Sequence, residues 1–391
     1  MILLIKNVHI VDGEQSIYGN ICIKDGIVHK VIKHADIINY EDIDIVIDGM
    51  GKTLMPSFID MHTHLREPGY EYKETMFTGQ KAALSGGYTI LCPMANTNPP
   101  CDNEVVMKYI KEKANEQSLC DIYQISAVTK GLQGKELIDF ETMKEATQLF
   151  SDDGYSIMNQ EIMERALMAS REFDIKILTH CQPESQLIKR DLKILEDFGG
   201  NLHICHVSEK ESIGEIVRAK NRGSKFTCEV TPHHIFSHDL DYRVNPPIGD
   251  KEDNRAIMNA IKKGYIDIIA TDHAPHSKED KKKGSPGISN IEVAFAMVNK
   301  KFKEWDIELT VLSRMMSKIP GEILGLNSGL IKEGYEANLV LIDDNHQYKI
   351  DKDTFISKGK NTPFNDMYVQ GKILFTMKRG KILYKGEEFC G

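Results

Sequence analysis

Two histidines stand one residue apart in the stretch IDMHTHLREPG, residues 59–69. In an extended strand, side chains two positions apart lie on the same face, so His62 and His64 would point the same way. Two neutral imidazoles on one face can bind a divalent metal ion. An isolated pair of this kind also occurs at ordinary strand ends on protein surfaces, so a metal site requires further ligands elsewhere in the chain.

Further candidate ligands follow apolar segments in the middle of the chain. They are Asp152 and Asp153 in TQLFSDD, His180 after DIKILT, His206 in NLHICHV and Asp272 after IDIIAT. Each of these residues alone is more often a cap or a buried structural side chain. Together with the two histidines they form a set suited to one or two borderline divalent ions, for which zinc is the best match. Such ions activate water as a nucleophile, and one carboxylate can bridge two of them.

The elements that must position these residues are short apolar segments separated by helix-length stretches. The segments are MPSFIDMH, TILCPM, CDIYQISA, TQLFSDD, DIKILTH, NLHICHV, KFTCEV and IDIIATD. Eight such segments predict an α/β fold with an eight-stranded parallel (β/α)8 barrel, here assigned to residues 54–331. Barrels of this kind carry their chemistry at the carboxyl ends of the strands, which is where the candidate ligands fall.

Both ends of the chain have a different pattern, with short alternating strands and glycine turns. Asp25-Gly26 is typical of a tight hairpin, and Gly371 and Gly380 are expected to mark further turns. Residues 1–53 and 332–391 therefore predict one small β-sandwich-like module built from both termini. The charged, glycine-containing stretch at 277–287 is expected to be a solvated, mobile loop.

Composition narrows the class of protein. The chain has 391 residues, 41% of them hydrophobic, and a formal net charge of -9, which argues against nucleic acid or an anionic membrane as the main partner and favours a small molecule. The eight cysteines are scattered without a CxxC pair or a secretory signal, so we expect reduced thiols and a cytoplasmic location. Cys181 and Cys205 adjoin candidate ligands, and strand alternation predicts that both point away from the site into the core.

The motifs together resemble a known family. HTHLREPG at 62–69, PMANTNPP at 93–100, FSDDG at 150–154, CHVS at 205–208, VTPHH at 230–234, VNPP at 244–247 and ATDHAPH at 270–276 appear in the order found in the bacterial type I dihydroorotase group of the amidohydrolase superfamily. The resemblance covers residues 2 to 385. It implies a zinc enzyme of de novo pyrimidine synthesis that interconverts N-carbamoyl-L-aspartate and L-dihydroorotate.

The resemblance also implies roles for individual residues. His62 and His64 would share one metal ion with Asp272, His180 and His206 would hold a second, and Asp153 rather than Asp152 would bridge them. Asp272 would also be the catalytic proton carrier. The residues that would bind substrate are His64, Arg66, Asn96, Asn245, His276, Pro286 and Gly287. Sequence leaves open whether one or two zinc ions bind, and whether the neighbouring Asp152 is the bridging carboxylate.

Two rival interpretations differ in the bridging residue or in the metal. Hydantoinases and allantoinases commonly bridge two metals with a carboxylated lysine, whereas FSDDG offers no lysine. Metal-free members of the superfamily lose ligands, whereas every ligand position here is filled. The resemblance leaves open a homodimer and a complex with aspartate transcarbamoylase. The segment between His180 and His206 is shorter than is usual in the family.

Overall fold

Sixteen strands and twelve α-helices make up the described part of the chain. The computed structural model describes residues 1–33, 43–387 and 389. The strands are β1 Ile2–Val11, β2 Ser16–Lys24, β3 Ile27–Lys33, β4 Ile45–Asp48, β5 Thr53–Pro56, β6 Phe58–Thr63, β7 Tyr88–Pro93, β8 Asp121–Ile122, β9 Leu149–Ser151, β10 Lys176–Thr179, β11 Leu202–Ile204, β12 Thr227–Val230, β13 Ile268–Ile269, β14 Leu339–Lys349, β15 Tyr368–Lys378 and β16 Lys381–Lys385.

The helices lie mainly between the central strands. They are α1 Met76–Ser85, α2 Glu104–Gln117, α3 Phe140–Met143, α4 Gln160–Glu172, α5 Glu184–Phe198, α6 Lys210–Asn221, α7 Pro232–Phe236, α8 Lys251–Lys262, α9 Lys278–Lys282, α10 Ala294–Glu304, α11 Leu309–Ser313 and α12 Ile319–Ile323. A π-helical turn, Arg314–Lys318, joins the last two. Short 3₁₀ turns lie at Lys130–Leu132 and Lys352–Thr354. No helix in this part of the chain combines the length and apolar character needed to cross a bilayer.

The central strands form the predicted parallel barrel. Strands β6, β7 and β8 pair in that order, and β9 to β13 pair in sequence order. Parallel bridges between Ser126 and Phe150 and between Thr63 and His273 join the two ribbons and close the ring. Eight strands therefore surround one interior, with their carboxyl ends at one mouth, as expected of this architecture.

Both ends of the chain contribute to a second sheet. Its strand order is β16-β15-β14-β5-β1-β2-β3, and β4 pairs with β1. The segment MPSFIDMH, predicted as the first barrel strand, is divided between two strands. Its first residues belong to β5, which pairs with β14 in the terminal sheet, and after Ser57 the chain enters the barrel as β6. The proposed division into residues 1–53 with 332–391 and residues 54–331 stays a prediction.

Two of the three predicted glycine turns are confirmed. Asp25 and Gly26, with φ of 51° and 82°, connect β2 and β3, and Gly380 with φ of 76° connects β15 and β16. Gly371 lies inside β15, so its prediction as a turn is wrong. It has φ of 117°, and a Cβ atom there would come within 2.5 Å of the Phe295 ring, so close packing explains this glycine.

The seven cysteines described are free thiols, and six of them are buried. Cys181 packs outside the barrel near Asp191, as alternation predicted. Cys205 does not follow the prediction, because it lies in the barrel interior with Met61, Leu178 and other strand residues. The backbone of the adjacent His206 has φ of 33°, which breaks the alternation at this position.

Candidate metal centre and substrate cleft

The mouth of the barrel brings together the six side chains predicted to bind metal. They are His62 and His64 from β6 and the residue after it, Asp153 after β9, His180 after β10, His206 after β11 and Asp272 after β13, and all six are buried. Parallel strands place these ends side by side although the residues are up to 210 positions apart in the chain. A buried cluster of imidazoles and carboxylates is the donor set that zinc and similar ions bind.

Asp153 lies at the centre of this cluster. Its Oδ1 atom is 3.4 Å from His62 Nε2, 3.4 Å from His180 Nδ1 and 3.5 Å from His206 Nε2. Its Oδ2 atom is 3.6 Å from His64 Nε2. This central position is the one that a carboxylate bridging two ions would need.

Asp152 faces away from the cluster. Its carboxylate accepts hydrogen bonds from the backbone N–H groups of Val128 and Thr129, at 2.8 and 2.9 Å, and from the Thr129 hydroxyl. Those bonds tie the segment after β8 to the segment after β9. The geometry therefore favours Asp153 as the ligand of the two.

Asp272 completes a second group of candidate ligands. Its Oδ1 atom is 3.1 Å from His64 Nε2 and 3.6 Å from His62 Nε2. The ligand atoms of His62, His64 and Asp272 all lie within 4.8 Å of one another, as do those of His62, Asp153 and His206. His180 Nδ1 is 2.8 Å from His206 Nε2, so these two imidazoles also adjoin.

The electrostatics of the cluster favour a cation. Burial lowers the pKa of His62, but the charges of Asp153 and Glu229 outweigh burial and hold that pKa well above its ordinary value. Burial raises the pKa of Asp153, but the charge of His62 and the neighbouring imidazoles hold it well below the usual range. The site therefore attracts positive charge to the space between these side chains.

Two buried atoms show where that charge would sit. Within the described residues, His62 Nε2 and Asp153 Oδ1 have no hydrogen-bond partner. A buried polar atom without a partner is costly, and a divalent cation would satisfy both atoms at once. The side chains present therefore fit a metal ion, and the chain carries candidate metal-binding groups.

A cleft of about 290 Å³ opens onto the cluster. All of the predicted substrate-binding residues line it: His64, Arg66, Asn96, Asn245, His276, Pro286 and Gly287. Tyr70, Lys73 and Tyr155 also line it, and they lie in loops with no sequence signal that could have identified them. A larger cavity of about 620 Å³ involves Lys176 at the amino end of β10, far from this chemistry, so we assign function to the smaller cleft.

Arg66 provides positive charge in the cleft. Its Nε donates to the carbonyl oxygen of Pro275 at 3.2 Å, and its Nη2 donates to His276 Nε2 at 3.3 Å. Burial lowers the pKa of Arg66 only to about 10, so it stays charged. Burial and the charge of Arg66 lower the pKa of His276 to about 3, so this imidazole is neutral. A cationic arginine beside a neutral histidine suits an anionic group such as a carboxylate.

Two asparagines connect the cleft to the histidine cluster. Asn96 accepts a hydrogen bond from His64 Nδ1 at 3.0 Å and donates to the backbone oxygen of Asp153 at 3.3 Å. Asn245 Nδ2 donates to His180 Nε2 at 3.1 Å. A molecule bound in the cleft could therefore contact both amides and the histidine cluster at the same time.

The segment at 277–287 is largely exposed to solvent, as its composition predicts, and its mobility stays a prediction. It contains the short helix α9, and Lys281 Nζ donates to the backbone oxygens of Arg243, Ser285 and Gly287 at 2.9, 2.9 and 3.1 Å. These bonds hold Pro286 and Gly287 against the cleft. The segment is therefore part of its wall.

Glu229, on β12 directly beneath the cluster, is not among the residues that the sequence patterns indicated. It is fully buried and contacts His62 Nδ1 at 2.6 Å and His203 Nε2 at 3.0 Å. Burial raises its pKa, but the charges and hydrogen bonds of the two histidines lower it to about 2. A glutamate between Cys228 and Val230 in the predicted barrel segment KFTCEV is unusual for a buried strand, and that signal could have identified it.

The chain matches known proteins along almost its whole length. The amidohydrolase family matches residues 53–383. A dihydroorotase of Clostridium botulinum is 42% identical over 401 residues, covering 98% of this chain and 100% of that protein. Dihydroorotases of Thermoanaerobacter sp. and Aquifex aeolicus are 38% and 34% identical, each over 98% of this chain and 98% and 99% of theirs.

Solved structures share the fold at lower sequence identity. An L-hydantoinase (dihydropyrimidinase) from Arthrobacter aurescens is 21% identical with a TM-score of 0.89, over 100% of this chain and 97% of that one. A dihydropyrimidinase from Brevibacillus agri is 20% identical with a TM-score of 0.88, over 100% and 96%. At this identity the likeness concerns the fold alone.

Proposed function

Because the chain belongs to the amidohydrolase family and, within it, to the dihydroorotases, we propose that its buried cluster binds zinc and catalyses the reversible cyclisation of N-carbamoyl-L-aspartate to L-dihydroorotate in de novo pyrimidine synthesis. The observation that carries this proposal is the meeting of six buried candidate metal-ligand side chains at the barrel mouth, beside a half-buried arginine that lines the cleft opening onto them. The chain is a cyclic amide hydrolase, and the cleft is its proposed active site.

The metal would be held by the side chains that face one another at the barrel mouth. His62, His64 and Asp272 would bind one ion, and His180 with His206 would bind the other. Asp153 would bridge the two. One or two ions per chain would use these residues, and the metal content of the purified chain measures the number. When bound, zinc would polarise the ring amide carbonyl and activate water for attack on it.

The rest of the cleft would bind and orient the substrate. Arg66 would bind the substrate carboxylate through two parallel N–H donors, and Asn96 would donate a further hydrogen bond from its amide. Asn245 and His276 would add contacts on the same side. The backbone of Pro286 and Gly287 would contact the pyrimidine ring.

Asp272 would move the proton. In the hydrolytic direction its carboxylate takes the proton of the attacking water and delivers it to the leaving ring nitrogen. Burial raises the pKa of Asp272, but the hydrogen bond from His64 and the charges of the histidines around it hold the pKa below its ordinary range. The carboxylate is therefore ionised and ready to accept a proton at neutral pH.

We also propose a cytoplasmic location for the chain, and a homodimer or a complex with aspartate transcarbamoylase as its assembly. Seven described cysteines are free, which agrees with the reducing cytoplasm that we propose. The homodimer and the complex with aspartate transcarbamoylase come from the resemblance alone. Light scattering of the chain by itself, and mixed with that enzyme, measures both.

The test is an assay of the isolated chain for dihydroorotate hydrolysis, with hydantoin and allantoin as competing substrates and metal content measured on the same sample. We expect dihydroorotate to be the preferred substrate and zinc to be present at one or two ions per chain. Faster turnover of hydantoin or allantoin would overturn the substrate assignment. Full activity in rigorously metal-free protein would overturn the metal assignment.

A further inference from the structure

A line of hydrogen bonds runs beneath the cluster through the barrel interior and joins residues of three strands, β6, β12 and β11. His62 Nδ1 lies 2.6 Å from Glu229 Oε1, and the other oxygen of Glu229 lies 3.0 Å from His203 Nε2. His203 Nδ1 in turn lies 2.8 Å from the Thr227 hydroxyl. His62, Glu229 and His203 are completely buried. These three side chains are therefore shielded from bulk solvent and depend on protein partners for their hydrogen bonds.

The chemistry of the groups assigns a proton to each bond. An ionised carboxylate only accepts hydrogen bonds, so both histidines donate to Glu229. His203 then carries its proton on Nε2 and accepts from the Thr227 hydroxyl at Nδ1. His62 carries a proton on Nδ1, so Nε2, which lies 3.4 Å from Asp153 Oδ1, is the nitrogen that would bind an ion in place of a proton.

We propose that Glu229 is a positioning residue for the metal site, fixing His62 in the tautomer that binds the ion through Nε2 and placing a buried negative charge beside it. This inference rests on the proposed function, because it takes His62 to be a ligand. A carboxylate that accepts from a ligating imidazole orients the ring and makes it a stronger donor to the metal. Glu229 Oε1 also lies 3.3 Å from the backbone N–H of His206, so one carboxylate contacts two ligand residues.

Another buried carboxylate shows what a purely structural role looks like. Asp191, on α5, pairs with the Arg190 guanidinium at 2.7 Å and contacts Cys181, outside the barrel. It touches no imidazole of the cluster. Asp191→Asn is therefore a matched control, because it also neutralises a buried carboxylate in a barrel element.

Glu229→Gln isolates the charge. The glutamine oxygen can still accept from His62 Nδ1, and its amide can donate to His203 once that ring moves its proton to Nδ1 and donates to Thr227. We expect the dissociation constants for zinc and for cobalt, measured by competition with a chromophoric chelator on the full chain, to rise by about 10- to 100-fold. The visible spectrum of the cobalt form should shift. The KM for dihydroorotate should stay unchanged once metal is saturating.

Substitutions at His203 provide a second measurement that leaves Glu229 in place. His203→Leu removes one donor to the carboxylate and should weaken metal binding, whereas His203→Gln can still donate and should restore it. The inference about Glu229 would be overturned if Glu229→Gln bound metal as tightly as the unmodified chain or Asp191→Asn. It would also be overturned if the two His203 variants bound metal equally well. Neither result would affect the proposed function. An unmodified chain that binds neither ion would overturn the proposed function as well.

Discussion

At the scale of single residues, Asp272 is assigned two tasks, metal binding and proton transfer. Hydrolysis needs its carboxylate ionised, whereas ring closure needs it protonated. The surrounding histidines hold the pKa of Asp272 low and so favour its ionised form. The rate of hydrolysis should therefore rise with increasing pH, and the rate of ring closure should rise with decreasing pH. The two directions should therefore have opposite pH–rate profiles.

Asp272→Asn tests the proton-transfer role. Asparagine keeps the size and one oxygen of the side chain but cannot accept the proton, so we expect kcat to fall by at least about two orders of magnitude in a folded protein. The measurement combines kcat, metal content and melting temperature in one sample. A folded, metal-loaded variant with near-normal turnover would contradict the mechanism.

The adjacent pair Asp152 and Asp153 separates a structural carboxylate from a ligand. Asp152→Asn should lower the melting temperature, because it weakens the bonds to Val128 and Thr129, and leave kcat nearly intact. Asp153→Asn should instead reduce metal content and activity together. The reverse pattern would show that Asp152 is the ligand.

Arg66→Met tests carboxylate recognition. Removing a buried charged contact to an anion costs about 2 kcal/mol or more, so the KM for dihydroorotate should rise by roughly 30-fold or more. Metal content should not change, because Arg66 contacts His276 and Pro275 rather than the cluster itself. Arg66→Lys keeps the positive charge but loses the planar guanidinium, so its KM should lie between those of the unmodified chain and Arg66→Met. An unchanged KM would place the carboxylate elsewhere in the cleft.

At the scale of elements, one lysine organises the wall formed by residues 277–287. Lys281 bonds three backbone oxygens, whereas Lys282 on the same short helix is exposed. Lys281→Met should loosen Pro286 and Gly287 and raise the KM, with little effect on metal content. Lys282→Met is the control and should behave as the unmodified chain. Steady-state kinetics of Lys281→Met and Lys282→Met measure this difference. Equal KM values in the two variants would show that the wall keeps its structure without Lys281.

At the scale of the whole molecule, the barrel mouth concentrates four histidines and two carboxylates that need a cation between them. Removing the metal should abolish activity and lower the melting temperature by several degrees, since a ligand that binds only the folded state stabilises it. Zinc, cobalt or manganese should restore both. Because the pKa of His62 is raised in the absence of metal, the ion must displace a proton, and metal affinity should rise with pH. Calorimetry at several pH values measures this, and a melting temperature insensitive to chelation would contradict it.

Much of this protein follows from local sequence patterns. The spacing of His62 and His64, the candidate ligands after apolar segments and the eight-fold alternation predict the barrel and the strand ends at which the ligands meet, because strand periodicity and barrel topology fix where strand ends lie. They leave Asp152 and Asp153 as alternatives. The Asp25-Gly26 hairpin follows from local turn preference in the same way. These features depend on neighbours in the chain.

Only the tertiary structure decided the features that depend on contacts between distant segments. Glu229 lies 167 residues from His62 and meets it because β12 and β6 line the same barrel interior. Asp153 rather than Asp152 faces the cluster because Val128 and Thr129 occupy the other carboxylate. Gly371 is fixed by the ring of Phe295, and Cys205 turns inward because the backbone at His206 leaves the strand conformation. Residue type and spacing determine which chemistry is available, whereas packing across the barrel determines which side chain carries it.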